Sequence, residues 1–125
     1  MASAEITVDD LAERLATADS TVRLVDVREV DEYESGHVPG ARLVVLGTVP
    51  DNVDAFRGDG PAYVICRSGA RSMRACEFLA GHGVEAVNIA GGTMAWQQSG
   101  RPLAVGDRPP EDRAPEDRAT EDRPS

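Results

Sequence analysis

Lysine is absent from this 125-residue sequence, so all thirteen basic side chains are arginine, against 22 acidic residues. The resulting formal net charge of −9 argues against nucleic acid or an anionic membrane as the main partner. No uninterrupted apolar stretch approaches the roughly 20 residues that a membrane-spanning helix needs. We therefore expect a protein that binds neither nucleic acid nor membrane.

Cysteine is scarce as well. Cys66 and Cys76 are too few for a disulfide framework. Together with His37 and His82 they lack the spacing of metal ligands, so no metal site is predicted. The first residues show neither the basic nor the apolar region of a secretory signal. We expect a cytoplasmic protein, because a reducing compartment keeps Cys66 available as a thiol.

Short apolar runs alternate with helical patterns along most of the chain. Such alternation predicts an α/β domain over residues 1–104, with a mainly parallel sheet of about five strands covered by helices on both faces. Strands are predicted at 6–8, 22–27, 41–46, 62–66 and 84–89, and helices at 8–17, 29–34, 72–82 and from Thr93 onward. Pro50 to Phe56 is ambiguous. Thr7 and Asp10 resemble a capping box for the first helix.

The chain changes character at about Val105. A five-residue unit, Pro-Glu-Asp-Arg-Ala, occupies 110–114 and 115–119 and recurs loosely at 120–124. It has no apolar side chain larger than Ala or Pro, so it cannot bury a core. Residues 105–125 are therefore predicted to be a disordered tail, with docking to a protein partner as the alternative.

Cys66 is the main candidate for chemistry. It follows the apolar run 62–65 at the carboxyl end of a predicted strand, where ligands bind in parallel sheets. Small and cationic residues follow it: Arg67, Ser68, Gly69, Ala70, Arg71 and Ser72. Backbone N–H groups of such a loop, a helix N-terminus and the arginines all favour a thiolate. Lowering a thiol pKa from about 8.5 to about 6.5 requires roughly 2.7 kcal/mol, which these groups can supply together.

Four segments together resemble the single-domain rhodanese family of sulfurtransferases over about residues 5–104. They are Asp-Val-Arg-Glu at 26–29, Gly-His-Val-Pro-Gly-Ala at 36–41, Cys-Arg-Ser-Gly-Ala-Arg-Ser at 66–72, and Gly91-Gly92 with Trp96. Each segment alone is a weak signal. Their order and spacing around an independently argued nucleophile make the resemblance strong, and it implies a rhodanese-like three-layer fold.

The resemblance also implies a reaction. The Cys66 thiolate would take the outer sulfur of a donor such as thiosulfate and become a persulfide, from which cyanide or a cellular thiol removes the sulfur. Backbone amides of 67–72 would stabilise the terminal sulfur, and Arg67 and Arg71 would hold the anionic oxygens of the donor. No cofactor is needed, since both half-reactions are exchanges at sulfur. Arg67 stands where relatives that favour mercaptopyruvate have Gly, which indicates thiosulfate.

Two alternative functions stay open. One is a persulfide-binding or sulfur-relay module that acts with a partner protein through its acidic surface and tail. The other is a phosphatase or arsenate reductase, although those relatives place five residues between Cys and Arg, and four separate Cys66 from Arg71.

Other polar residues receive structural interpretations. Asp26 and Arg74 are candidates for tuning the site from outside the loop, although Asp26 is expected mainly to fix the backbone or to pair with an arginine. Glu32 and Glu34 are interpreted as a solvated face. Cys76 shares an apolar helix face with Leu79, so we expect it to pack in the core.

Overall fold

Five parallel strands form one sheet in the order β1-β5-β4-β2-β3. The structure is a computed structural model that describes residues 4–17 and 22–106. Its strands are β1 Ala4–Ile6, β2 Arg23–Asp26, β3 Arg42–Leu43, β4 Ala62–Ile65 and β5 Ala86–Ile89. The predicted α/β class with a five-stranded parallel sheet is confirmed.

Four helices and one 3-10 segment connect the strands. They are α1 Val8–Ala16, α2 Val30–Ser35, the 3-10 segment Leu46–Phe56, α3 Ala70–Ala80 and α4 Gly92–Gln98. The capping box at the start of α1 is confirmed: the Asp10 N–H donates to the Thr7 hydroxyl, and the Thr7 N–H donates to the Asp10 carboxylate. This pairing satisfies two backbone donors that the first helical turn leaves unpaired.

The helices cover both faces of the sheet, which confirms the three-layer arrangement. Successive strand residues point to opposite faces, so Val64 and Ile65 of β4 belong to different apolar clusters. One cluster packs the sheet against α1, α2 and α4, and includes Leu11, Tyr33, Ile89 and Trp96. The other packs it against α3 and the 3-10 segment, and includes Val49, Phe56, Cys76 and Leu79.

Several local predictions differ from the structure. The strand predicted at 6–8 lies at Ala4–Ile6, and α1 already begins at Val8. The predicted strand 41–46 is limited to Arg42–Leu43, because the 3-10 segment already begins at Leu46. α3 begins at Ala70 and not at Ser72, because Gly69 adopts φ 109° as its N-cap. Thr93 does not cap α4. That position belongs to Gly91, and the Thr93 hydroxyl donates to the backbone of Cys66.

The chain beyond α4 returns to the segment that follows α2. His37 and Ala104 form an antiparallel bridge, and the Gly106 N–H donates to the carbonyl of Glu34. The predicted tail lies outside the described residues from 107 onward, so both its disorder and the boundary at 104 stay predictions.

Candidate active site

Cys66 follows β4 and lies in a loop that leads into α3. The first turn of α4, which follows β5, holds this loop in place: the N–H groups of Thr93 and Met94 donate to the carbonyls of Cys66 and Arg67. Gly92 permits the close approach, since a Cβ there would lie 2.4 Å from the Cys66 carbonyl oxygen. Because β4 and β5 are neighbouring parallel strands, the Cys66 loop and the start of α4 lie at the same edge of the sheet.

Hydrogen-bond donors converge on the thiol of Cys66. The Gly69 N–H lies 3.1 Å from Sγ, and the Ser72 hydroxyl lies 3.3 Å from it. Burial raises the pKa of Cys66, but the Ser72 hydroxyl and the backbone N–H groups of Ser72, Gly69 and Ser68 together outweigh burial, and the pKa is lowered from its ordinary value. The first N–H groups of a helix have no partner within it. The early start of α3 therefore supplies donors to Sγ.

A hydrogen-bond chain extends from Cys66 along one face of the sheet to the edge strand β1. Ser72 Oγ lies 2.5 Å from Asn88 Oδ1, and Asn88 Nδ2 donates to the Glu5 carboxylate at 2.9 Å. Because Glu5 accepts from the amide nitrogen, the amide oxygen of Asn88 faces Ser72. The single hydroxyl proton of Ser72 cannot be donated to Asn88 and to Cys66 Sγ at the same time.

Arg71 is bound by an acidic partner. Its two terminal nitrogens donate to the two carboxylate oxygens of Glu32 at 2.8 and 2.9 Å. This hydrogen bonding lowers the pKa of Glu32 to about 2. The interpretation of Glu32 as part of a solvated face is therefore wrong. Contact between Arg71 and a sulfur donor stays a prediction. Arg67 is an exposed residue of the loop.

The two residues considered for tuning the site lie in different settings. Asp26 is fully buried and pairs with Arg28 through bonds of 2.9 to 3.1 Å, so the expected pairing with an arginine is confirmed. Arg74 is exposed on α3. Cys76 is fully buried in the core, and burial raises its pKa to about 12. The structural interpretation of Cys76 is therefore confirmed.

The arrangement places a thiol with a lowered pKa at the end of a parallel strand, beside donors that a persulfide could also use. The profile of the Rhodanese-like domain family matches residues 7–99. The chain belongs to the rhodanese-like family. The predicted family and its fold are thus confirmed.

Relatives of this rhodanese-like chain carry sulfurtransferase names. The Bacillus subtilis protein named "Putative sulfurtransferase YtwF" is 38% identical over 98 residues, which cover 78% of this chain and 94% of that protein. A protein of Allochromatium vinosum named "Sulfurtransferase" is 36% identical over 100 residues, covering 79% and 92%. The crystal structure of a rhodanese-like domain protein from Staphylococcus aureus superimposes with a TM-score of 0.74 at 36% identity, covering 82% and 97%.

Sequence reasoning missed several partners of the rhodanese-like loop. Glu32 and Asn88 were not connected to it, and Glu5 was not singled out at all. One signal was present, because Asn88 is the only polar residue in the otherwise apolar β5, and a polar side chain inside a buried strand needs a hydrogen-bond partner. Nothing in the sequence pairs Glu32 with Arg71, which lies 39 residues later.

Two further observations concern the described part of the chain. No group of three or more His, Cys, Asp or Glu side chains there could hold a metal ion. None of the helices between residues 4 and 106 is both long and apolar enough to cross a membrane.

Proposed function

We propose that this rhodanese-like protein is a sulfurtransferase that moves a sulfane sulfur from thiosulfate to a thiophilic acceptor through a persulfide on Cys66. The observation that supports it best is the convergence of the Gly69 N–H and the Ser72 hydroxyl on Sγ, with a lowered pKa of the thiol. Thiolates, not thiols, attack sulfur. The sulfurtransferase names of two relatives support the same reaction class.

Each half-reaction is a displacement at sulfur. The Cys66 thiolate attacks the outer sulfur of thiosulfate, the S–S bond of the donor breaks, and sulfite leaves with the electron pair. Cyanide or a thiolate then attacks the terminal sulfur of the persulfide, and Cys66 leaves as a thiolate again. The N–H groups that face Sγ would stabilise the charge as it moves to the outer sulfur.

The size and charge of thiosulfate support it as the sulfur donor. Cys66 is 1% exposed, so only the narrow end of a donor fits against Sγ. Thiosulfate presents a single sulfur there and three oxygens behind it. The exposed Arg67, next in the chain to the nucleophile, is the cation proposed to bind those oxygens.

The proposal is tested by intact mass after incubation with thiosulfate. The wild-type protein should gain one sulfur atom and lose it on addition of cyanide, with release of thiocyanate. Cys66→Ala should gain none. Cys76→Ala is the matched control, because it removes the other thiol and should be loaded and discharged like the wild type. Loading of the Cys66→Ala variant would disprove the assignment.

A second candidate is a sulfur relay that serves a partner protein. It is favoured by the Bacillus subtilis relative named "Putative sulfur carrier protein YrkF", 34% identical over 80 residues that cover 63% of this chain and 43% of that protein. Deletion of 107–125 tests the relay: binding to the partner should fall while thiosulfate cleavage persists.

Phosphatase activity is the less favoured alternative. A Rhodopseudomonas palustris structure described as "Possible Tyrosine Phosphatase" superimposes with a TM-score of 0.76 at 26% identity. In this chain four residues separate Cys66 from Arg71, whose guanidinium is bound to Glu32. Release of phosphate from aryl phosphates by the protein would support phosphatase activity.

A further inference from the structure

A cavity of about 450 Å³ lies beside the loop, between α2 and the start of α4. Its wall includes Arg67, which directly follows the nucleophile, and Thr93, whose hydroxyl donates to the Cys66 carbonyl. Its volume falls within the roughly 300–1,000 Å³ of small-molecule sites. The cavity therefore adjoins the loop that carries Cys66 and has room for a second substrate.

Arg28 lines the cavity, and one nitrogen of its guanidinium has no partner among the described residues. The residue is 5% exposed. Nε and Nη2 donate to Asp26, and Nη2 also donates to the Gly36 carbonyl, but Nη1 has no partner within 4–17 and 22–106. A buried N–H group without a partner is costly. An acceptor atom of a ligand would satisfy it, and the exposed Arg67 adds a second guanidinium for the same anionic group.

The cavity wall also presents a negative charge and an apolar surface. Asp31 is exposed on α2, and its carboxylate makes no ion pair within the described ranges. Met94 of α4 is 37% exposed. The second acid of the wall, Glu32, is neutralised by Arg71. One cavity thus combines donors for an anion, one unpaired carboxylate and an apolar contact, which suits a zwitterion with a short aliphatic stem.

We propose that this cavity binds the sulfur acceptor, and that the acceptor is a thiol with both an ammonium and a carboxylate group, as in an amino acid of the cysteine type. The proposal rests on the proposed sulfur transfer. The acceptor thiol loses its proton and its sulfur bonds to the outer sulfur of the persulfide. The bond to Cys66 breaks, the electron pair stays on the Cys66 thiolate, and the proton ends on the new persulfide.

The experiment starts from protein preloaded with one sulfur, so that donor binding plays no part. Four acceptors discharge it: cysteine carries both charges, cysteamine the ammonium, mercaptopropionate the carboxylate, and mercaptoethanol neither. Gln97→Glu places a negative charge on the cavity wall, and Gln98→Glu places the same charge on the next exposed residue, outside the cavity. Asp31→Asn removes the negative charge of the wall. For each acceptor, the KM of a variant is compared with the KM of the wild type. The four thiols differ in intrinsic reactivity, and this comparison removes that difference.

Gln97→Glu should raise the KM for cysteine and mercaptopropionate only, because these two acceptors carry a carboxylate that the new charge repels. The expected factor is about two to five, the size of an interaction between partly exposed charges. Asp31→Asn should raise the KM by a similar factor for cysteine and cysteamine only. Gln98→Glu should leave all four values unchanged. Any other pattern, including equal effects of the two glutamine variants, overturns the proposal. Failure to preload Cys66 would instead refute the sulfur-transfer function.

Discussion

Replacement of Ser72 by Ala should raise the pKa of the Cys66 thiol, because it removes the hydroxyl 3.3 Å from Sγ. A hydrogen bond to a charged group is worth about 1.5–3 kcal/mol, which corresponds to about one to two pKa units. Ser72 is fully buried, so bulk water is a poor substitute donor. The Gly69 N–H remains 3.1 Å from Sγ. The variant should therefore ionise at higher pH without losing the thiolate altogether.

The assay is the rate of alkylation by iodoacetamide as a function of pH, measured with Cys76→Ala as the background so that only one thiol reacts. The pH at which the alkylation rate is half-maximal, the alkylation midpoint, should rise by about one to two pH units in Ser72→Ala. Ser68→Ala is the matched control, because Ser68 acts on Cys66 through its backbone N–H, which the substitution keeps. An unchanged midpoint in Ser72→Ala would show that backbone groups alone stabilise the thiolate.

A second variant tests whether the Ser72 hydroxyl donates its proton to Asn88 or to Cys66 Sγ. Asn88 accepts from Ser72 at 2.5 Å and so competes with the Cys66 thiolate for that proton. Asn88→Ala removes the competing acceptor, and the midpoint should fall, opposite to the change in Ser72→Ala. A rise would mean that Asn88 instead orients Ser72 toward Sγ, and the competition would be refuted.

Three further predictions concern the surroundings of the loop. Glu32→Gln should cost about 1–2 kcal/mol of unfolding free energy in urea at neutral pH. The pKa of Glu32 is lowered from 4.5 to about 2, so its ion pair with Arg71 contributes above pH 4.5, and the difference should shrink as the pH falls toward 2. Gly92→Ala should sharply reduce the alkylation rate of Cys66, because a Cβ at Gly92 would lie 2.4 Å from the Cys66 carbonyl oxygen. Gly40→Ala is the control for backbone strain, because Gly40 also has a positive φ but a Cβ there would have nothing within 4 Å. Cys76→Ala should lower the free energy of unfolding by about 1 kcal/mol by emptying core volume, while sulfur loading persists.

The sheet and most helices were predictable because local patterns determine them. The apolar runs at 22–27 and 62–66 contain β2 and β4, whose residues pack against helices on both faces. Boundaries were less predictable where tertiary contacts decide them. Arg42–Leu43 is a strand only where it pairs with β2, and the left-handed Gly69 starts α3 two residues earlier than the helical pattern.

The nucleophile could be located from the sequence, but its partners could not. Cys66 and the donors of its loop lie within seven consecutive residues, so their meeting is a local event. Glu5 binds Asn88 across 83 residues, and Glu32 binds Arg71 across 39. Such pairs depend on which strands become neighbours, and a single sequence does not give that order directly. The arginines near Cys66 were expected to aid its ionisation, yet the groups in contact with Sγ are N–H and O–H donors.

Because the groups in contact with Sγ are hydrogen-bond donors and not arginine charges, the pKa of Cys66 should depend little on salt. Hydrogen-bond donors 3.1 and 3.3 Å from a buried sulfur lie far inside the Debye length of about 8 Å at physiological ionic strength, and ions cannot come between them. The alkylation midpoint of Cys66 should therefore stay nearly constant as potassium chloride is raised. Binding of thiosulfate by the exposed Arg67 should weaken over the same range, so KM should rise while the midpoint does not. A midpoint that rises with salt would show that exposed charges stabilise the thiolate, and a constant KM would remove Arg67 from donor binding.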